Sequence, residues 1–151
     1  MVRGGETVGM TTLFTRLING ELPARFVWSD PQVVAFLTIA PLTPGHTLVV
    51  PRAEIDHWTD AESDLLAACV DVAQEIGRAV QQAWDAPRAG LVIAGFEVPH
   101  LHLHVFPAWS LDNFDFREVD AHRDPAALDA DAAKLRAALR HLGHHEPIPE
   151  G

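Results

Sequence analysis

The chain has 151 residues, of which 48 % are hydrophobic and 21 % charged, and its formal net charge is −10 at pH 7. One globular domain fits this length and composition, whereas the negative charge disfavours binding to nucleic acid or to an acidic membrane surface. The single cysteine, Cys69, excludes an internal disulfide. Apolar stretches are too short for a membrane span or a signal peptide, so we expect a cytoplasmic protein.

The first half of the chain predicts one short helix and three strands. Residues 1–11 lack hydrophobic periodicity and are predicted to be a disordered extension of a domain that spans residues 12–143. Helical spacing of apolar residues begins at Leu13 and ends at Asn19-Gly20, which is typical of a helix stop. Apolar and β-branched runs, separated by proline and glycine turns, then predict strands at 24–28, 33–37 and 46–50.

A long amphipathic helix is predicted from Thr59 to about Trp84, because apolar residues recur there in steps of three and four. Thr59 and Glu62 form a candidate capping box at its start. Two further strands are predicted at 91–94 and 101–106.

The C-terminal part predicts a helix and a tail. Asp124-Pro125 is typical of a helix start, and an apolar face continues to Gly143, after which residues 144–151 read as a tail. The segment 109–116 has no clear period. The sequence therefore predicts an α+β fold with a five-stranded, mainly antiparallel sheet, one long helix and a C-terminal helix.

Three histidines occupy alternate positions near the last predicted strand: His100, His102 and His104. Because side chains alternate across a strand, we expect the three imidazoles on one accessible or cleft-lining face, with Leu101 and Leu103 on the other. A purely structural strand has no reason to place histidine at three alternate positions. The spacing therefore predicts a functional site.

Imidazoles in such a row can bind a metal ion, or they can act as a nucleophile and proton carrier. The metal hypothesis uses only two neighbours, either His100 with His102 or His102 with His104, because the outer two lie too far apart to share one ion. The spacing alone leaves both hypotheses open.

The run from Val98 to Pro107 resembles the signature of the histidine-triad (HIT) family, with apolar residues between the histidines. Residues 13–24 and 40–51 are similar to the same family, the latter through the segment Pro44-Gly45-His46. The resemblance covers residues 12–108. It implies a HIT-like fold, a homodimer and a nucleotide as the small-molecule partner.

The resemblance implies nucleotidyl hydrolase or transferase chemistry without a cofactor. HIT proteins typically cleave nucleoside monophosphate conjugates, such as phosphoramidates or dinucleoside polyphosphates, through a covalent nucleotidyl-histidine intermediate. His102 corresponds in position to the nucleophile, and the carbonyl of His100 to the group that holds its tautomer. His104 and His46 correspond to residues that contact the phosphoryl group or order the nucleophile. These four histidines form the predicted catalytic set.

Four residues match positions that bind substrate in the family: Thr38, Ile39, Glu97 and Val98. Thr38 stands where many relatives have an acidic residue that binds the ribose, and Phe96-Glu97 stand where they have an amide and a hydroxyl. A carboxylate beside a phosphate is repulsive unless it is protonated or turned away. A catalytically weak, nucleotide-binding regulatory protein is therefore the second hypothesis, and a metal-dependent hydrolase is the third.

Some relatives hold a structural zinc through a Cys-x-x-Cys pair near the first helix. Thr12 and Thr15 occupy those places here, and Glu54 stands where a further ligand histidine is expected. We therefore predict no metal site at this position.

Overall fold

The computed structural model describes residues 11–151, so the predicted N-terminal extension lies outside the described residues except for its last residue. The helices and strands are α1 (Leu13–Ile18), β1 (Phe26–Ser29), β2 (Val33–Leu37), β3 (Thr47–Pro51), α2 (Ser63–Trp84), β4 (Arg88–Val92), β5 (Leu103–Ala108) and α3 (Pro125–His141). Short 3-10 turns lie at Trp58–Asp60, Leu111–Phe114 and Phe116–Glu118. Within the described part of the chain, no helix has the length and apolar character that a membrane crossing requires.

The five strands form one sheet in the order β1-β2-β3-β5-β4, and every neighbouring pair is antiparallel. This confirms the predicted α+β fold. One face carries the main core, to which α2 and α3 contribute residues such as Ile76 and Leu135. The other face carries a smaller apolar cluster, in which Phe14 of α1 packs with Phe36 and Leu48. A side chain on β5 therefore faces either the two long helices or the short first helix.

The last two strands are displaced from their predicted positions. The predicted strand at 91–94 is β4 at Arg88–Val92, and the predicted strand at 101–106 is β5 at Leu103–Ala108. Pro107, within β5, lacks the backbone N–H that a residue paired on both sides of a sheet needs. It is accommodated because β3 pairs with β5 only as far as Val105, and Pro107 is opposite Ala89 of β4 alone.

The two long helices begin differently. Asp124 caps α3 as predicted, because its carboxylate accepts a hydrogen bond from the amide of Ala126 and Pro125 fills the first turn. The predicted capping box of Thr59 and Glu62 is wrong. Thr59 belongs to a separate 3-10 turn, which ends at Ala61, a residue with extended backbone. Glu62 precedes α2, but its side chain forms no capping hydrogen bond.

Residues 144–151, which were expected to be a tail, pack against the domain. Ile148 is buried, and the carbonyl of Pro147 accepts a 2.7 Å hydrogen bond from the amide of Ser29 on β1. Nε2 of His144 lies 2.7 Å from a carboxylate oxygen of Glu75 on α2. This segment therefore covers the outer edge of the main core rather than extending from it.

Gly45 lies two residues before β3 and packs against Trp84, the last residue of α2. Its φ of +96° lies in the left-handed region, and a Cβ at this position would lie 2.6 Å from a ring carbon of Trp84. Both the backbone conformation and the close packing therefore require glycine. The next residue is His46, whose position depends on this contact.

We expect Gly45→Ala to lower the free energy of unfolding by about 3 kcal/mol, because it combines left-handed backbone strain with overpacking against Trp84. Gly20→Ala is the matched control, since Gly20 also has a positive φ of +80° but no atom within 4 Å of the added Cβ. The control should cost only about 1 kcal/mol. Chemical denaturation of both variants measures the difference, and equal losses would contradict the role assigned to Trp84.

Candidate active site

The four predicted catalytic histidines are all buried: His46, His100, His102 and His104 are 2 %, 0 %, 2 % and 5 % exposed. Of the three triad histidines, only His104 lies within β5, and the other two belong to the extended segment before it. The alternation of side chains nevertheless holds, because Leu101 and Leu103 lie in the main core. The imidazoles thus share the opposite face, as predicted.

The expectation that the histidine face is accessible or lines a cleft is wrong for the rings themselves, because they are buried and two aromatic side chains pack against them. The ring centroid of Phe14 on α1 lies 5.0 Å from that of His102 and 5.7 Å from that of His100. Phe116, from the segment that showed no sequence period, lies 4.9 Å from His104. Burial of this degree is tolerable only if the ring nitrogens have hydrogen-bond partners.

The tautomer of His102 is determined by a backbone carbonyl. Nδ1 of His102 lies 2.7 Å from the carbonyl oxygen of His100. A carbonyl oxygen can only accept, so Nδ1 carries the proton and donates it. In the neutral ring, Nε2 then holds an unshared electron pair. This is the protonation state that a nucleophilic imidazole needs.

The tautomer of His104 is determined through two further groups. The amide of Leu42 donates to Nδ1 of His46 at 2.9 Å, so the proton of neutral His46 must lie on Nε2. That nitrogen is 3.0 Å from Nδ1 of His104 and donates to it. The proton of neutral His104 therefore lies on its own Nε2. Two neighbouring rings thus carry opposite functions, with an electron pair on one Nε2 and a proton on the other.

Burial keeps the rings of His46 and His104 neutral. It lowers the pKa of His46 to about 3, with a further contribution from the charge of His104. It lowers the pKa of His104 to about 4, with a further contribution from His102. Neutral His46 and His104 are the condition on which the tautomers above depend.

His100 belongs to a separate hydrogen-bonded cluster. Its Nε2 donates to the carbonyl of Pro51 at 2.7 Å, so its Nδ1 accepts from the hydroxyl of Thr12 at 2.6 Å. The hydroxyl of Thr15 donates to Glu54 at 2.5 Å, and the same carboxylate oxygen accepts from the amide of Thr12 at 2.9 Å. These bonds lower the pKa of Glu54 and connect the start of α1 to the triad.

This cluster does not fit the structural zinc site of some HIT proteins. Both ring nitrogens of His100 are engaged, one as a donor to a carbonyl, and the other two positions near α1 supply threonine hydroxyls. Zinc is bound in proteins by thiolate, imidazole and carboxylate groups, so of the groups near α1 only the carboxylate of Glu54, which already accepts two hydrogen bonds, is a further ligand of the right type. The polar groups are satisfied by one another.

A pocket of about 360 Å³ lies on the same face of the sheet as the histidines. It is lined by all four predicted substrate-binding residues, Thr38, Ile39, Glu97 and Val98, together with apolar side chains that include Phe14. The hydroxyl oxygen of Thr38 accepts from the amide of Ala40 at 3.1 Å, which leaves its proton free to donate. The pocket is apolar with few polar groups, as is usual for small-molecule sites.

Glu97 connects this pocket to the triad. Its carboxylate and ring nitrogens of His102 and His104 lie within 4.8 Å of one another, although Glu97 itself is exposed. Phe96 is 95 % exposed and does not enclose the pocket. None of the four histidines lines the pocket itself, so Glu97 is the pocket-lining residue that lies beside His102 and His104.

Sequence reasoning missed the groups that come from outside the strands. These are the amide of Leu42, four residues before His46, the ring of Phe116, twelve residues after His104, and the hydroxyl of Thr12, which lies 88 positions from His100. Thr12 was noted only as a departure from a cysteine position. The amide of Leu42 leaves no signal in the sequence, because every residue except proline has one.

Acid should destabilise the fold before ordinary carboxylates titrate. The pKa values of His46 and His104 are lowered in the folded state, so below about pH 6.5 the unfolded chain binds more protons and stability is lost as the pH falls towards 4 for His104 and 3 for His46. Each histidine adds a slope of up to about 1.4 kcal/mol per pH unit. Urea denaturation between pH 5 and 8 measures this slope of the free energy of unfolding.

His46→Gln should reduce this slope by about a third to a half, because burial lowers the pKa of His100 as well as that of His104. The exposed His122 supplies the control, because His122→Asn should leave the slope unchanged. A wild-type stability that stayed flat from pH 8 to 5 would contradict the neutral tautomers.

Thr12→Val should lower the free energy of unfolding by about 2 kcal/mol, because it leaves Nδ1 of buried His100 without a donor and removes the cap of α1. Thr12→Ser retains the hydroxyl and should recover most of this loss. Thermal denaturation of the two variants distinguishes loss of the hydroxyl from loss of the methyl group. Equal losses would assign the effect to packing.

Comparison with known proteins shows the family of the chain. The HIT domain family matches residues 19–110. An uncharacterized HIT-like protein of Mycobacterium tuberculosis is 35 % identical over 136 residues, which cover 86 % of this chain and 94 % of that protein. A bifunctional bis(5′-adenosyl)-triphosphatase/adenylylsulfatase of Arabidopsis thaliana is 30 % identical over 122 residues, which cover 78 % of this chain and 65 % of that protein.

Solved structures show the same fold. The crystal structure of a zinc-bound histidine triad family protein from Mycobacterium smegmatis superposes with a TM-score of 0.76 and 32 % identity, covering 88 % of this chain and 96 % of that one. The family match spans residues 19–110, which include all four predicted catalytic histidines. The chain belongs to the HIT domain family.

Proposed function

We propose that this protein is a nucleotidyl hydrolase or transferase that cleaves nucleoside monophosphate conjugates through a covalent intermediate on His102. The observation that carries the proposal is the opposite protonation of two adjacent rings. His102 has its proton fixed on Nδ1 by a carbonyl, whereas His104 has its proton fixed on Nε2 by His46. A phosphoryl group beside both rings would meet an attacking electron pair and a hydrogen-bond donor together.

In the first step, the electron pair on Nε2 of His102 forms a bond to the α-phosphorus. The bond from phosphorus to the leaving group breaks, and its electron pair departs with the leaving group. In the second step, water adds to phosphorus, loses a proton, and the P–Nε2 bond breaks with its electrons returning to the ring. The proton stays on Nδ1 throughout, and its hydrogen bond to the carbonyl of His100 stabilises the positive charge of the modified ring.

The donor on His104 serves the transition state. Negative charge on the phosphoryl oxygens is concentrated as the nucleophile arrives, and an N–H held by a neutral relay stabilises it without adding a charge to the ground state. The pocket at Thr38 and Ile39 would receive the nucleoside, with apolar contacts for the base. The name of the Arabidopsis relative, a triphosphatase and adenylylsulfatase, supports nucleotidyl chemistry as the class of reaction.

The metal-dependent alternative is less consistent with the hydrogen bonds. His100 has both ring nitrogens engaged, so it cannot pair with His102 as a ligand without breaking the bond to Pro51 or Thr12. His104 presents a protonated Nε2, and a metal would have to displace that proton. Of the three possible ligands within 4.8 Å of one another, Glu97, His102 and His104, only the carboxylate and His102 then offer a free electron pair, and two ligands suit a metal site less well than one free imidazole suits a nucleophile.

The burial of His102 favours a second candidate, a nucleotide-binding protein with little turnover. The ring is only 2 % exposed, so substrate must enter past Glu97 before phosphorus reaches Nε2. Binding without formation of an intermediate would identify this alternative.

A brief exposure to adenosine 5′-phosphoramidate, followed by acid quench and intact-mass spectrometry, tests the proposal. The wild type should gain the mass of one adenylyl group, and His102→Ala should gain none and lose at least about a thousandfold in rate. His122→Asn is the control for a histidine outside the site. Turnover that persisted in His102→Ala, or an adduct mapped to another residue, would overturn the proposal, and binding without an adduct would favour the second candidate.

A further inference from the structure

Glu97 places a negative charge beside the reacting position. Its carboxylate lies within 4.8 Å of ring nitrogens of both His102 and His104, and its side chain lines the pocket edge. At this distance, a phosphate bound between the two rings would lie next to the carboxylate. The charge of Glu97 must therefore affect which substrates the site accepts.

No cation of the pocket compensates this charge. Arg25 is the other charged residue among the described pocket-lining residues, and its Nε is paired with Asp129 at 2.6 Å. Among residues 11–151, Glu97 forms no ion pair. A polyphosphate leaving group would thus face an unneutralised carboxylate and would find no free arginine or lysine lining the pocket.

We propose that Glu97 selects substrates by the charge of the leaving group, favouring phosphorus–nitrogen conjugates of amines over dinucleoside polyphosphates. The proposal rests on the nucleotidyl transfer proposed above and narrows its substrate class. An amine departs as a cation, which the carboxylate attracts, whereas a nucleoside diphosphate departs as an anion, which it repels.

Cleavage of an amine conjugate proceeds in two steps, transfer to His102 and hydrolysis. The electron pair on Nε2 of His102 forms the new bond to phosphorus while the P–N bond breaks. Its electron pair goes to the amine nitrogen, which takes up a proton from solvent and leaves as an ammonium ion beside the carboxylate of Glu97. Hydrolysis of the intermediate by water completes the reaction, so that the products are the nucleoside monophosphate and the ammonium ion.

The test compares two adenylyl donors that differ in leaving-group charge, adenosine 5′-phosphoramidate and diadenosine triphosphate. The wild type should favour the phosphoramidate in kcat/KM. Glu97→Gln keeps the size of the side chain and removes its charge, so the preference should fall about tenfold, mainly through faster cleavage of the triphosphate. Glu62→Gln removes an equal charge from the start of α2, which packs on the other face of the sheet, and should leave the preference unchanged.

Salt dependence gives a second kinetic readout. Because Glu97 is exposed, added salt should reduce the preference of the wild type and have little effect on that of Glu97→Gln. A preference that was the same in wild type and Glu97→Gln, at low and high salt, would overturn the proposal while leaving the intermediate on His102 intact.

Equilibrium binding separates this proposal from the proposed turnover. ADP places its β-phosphate where the leaving group departs, so Glu97→Gln should bind ADP about tenfold more tightly relative to AMP than the wild type does. If neither donor is cleaved but ADP binding changes in this way, the catalytic proposal fails and charge selection by Glu97 stands. An unchanged ratio of ADP to AMP affinity would contradict charge selection even where cleavage occurs.

Discussion

The backbone groups that fix the imidazole tautomers are the constraint on which the site depends. The carbonyl of His100 forces the proton of His102 onto Nδ1, and the amide of Leu42 forces the proton of His46 onto Nε2. A backbone carbonyl cannot donate and a backbone amide cannot accept, so neither assignment can reverse without breaking the bond. The nucleophilic electron pair and the neighbouring donor on His104 are therefore consequences of main-chain geometry.

Burial makes this arrangement both costly and effective. Buried imidazoles without partners would destabilise the fold, but every ring nitrogen whose role was assigned above is satisfied apart from the Nε2 atoms of His102 and His104. Burial keeps His46 and His104 neutral by lowering their pKa values, and it strengthens the field of the remaining N–H of His104 on a phosphoryl oxygen. Phe14 and Phe116 pack against the rings of His102 and His104 and contribute to this cover. The same aromatic cover restricts access, so substrate must approach from the side of Glu97.

Alternation along the chain predicted which face holds the histidines, because that property is local to residues 100–104. The burial of that face could not be predicted, since its covers come from distant segments, with Thr12 contacting His100 across 88 positions. The predicted strand 101–106 stops before the end of β5 at Ala108, because the sequence does not show that β3 stops pairing at Val105 and so leaves room for Pro107 in the strand. The predicted helix start at Thr59 is wrong because Thr59 lies in a separate 3-10 turn and therefore cannot cap α2.

The loop before β3 works as a rigid support, because its backbone carries the functional group. The amide of Leu42 can serve the relay only if the loop holds its shape, and three contacts do so: the amide of His46 donates to the carbonyl of Thr43, the hydroxyl of Thr43 donates to Pro107, and the ring of Trp84 packs on Gly45. Since a hydrogen bond weakens steeply with misalignment, a small shift of this loop would release the proton of His46 from Nε2. A substitution of Trp84 at the end of α2 would therefore change which nitrogen of His104 carries the proton, although Trp84 acts only through the loop and His46.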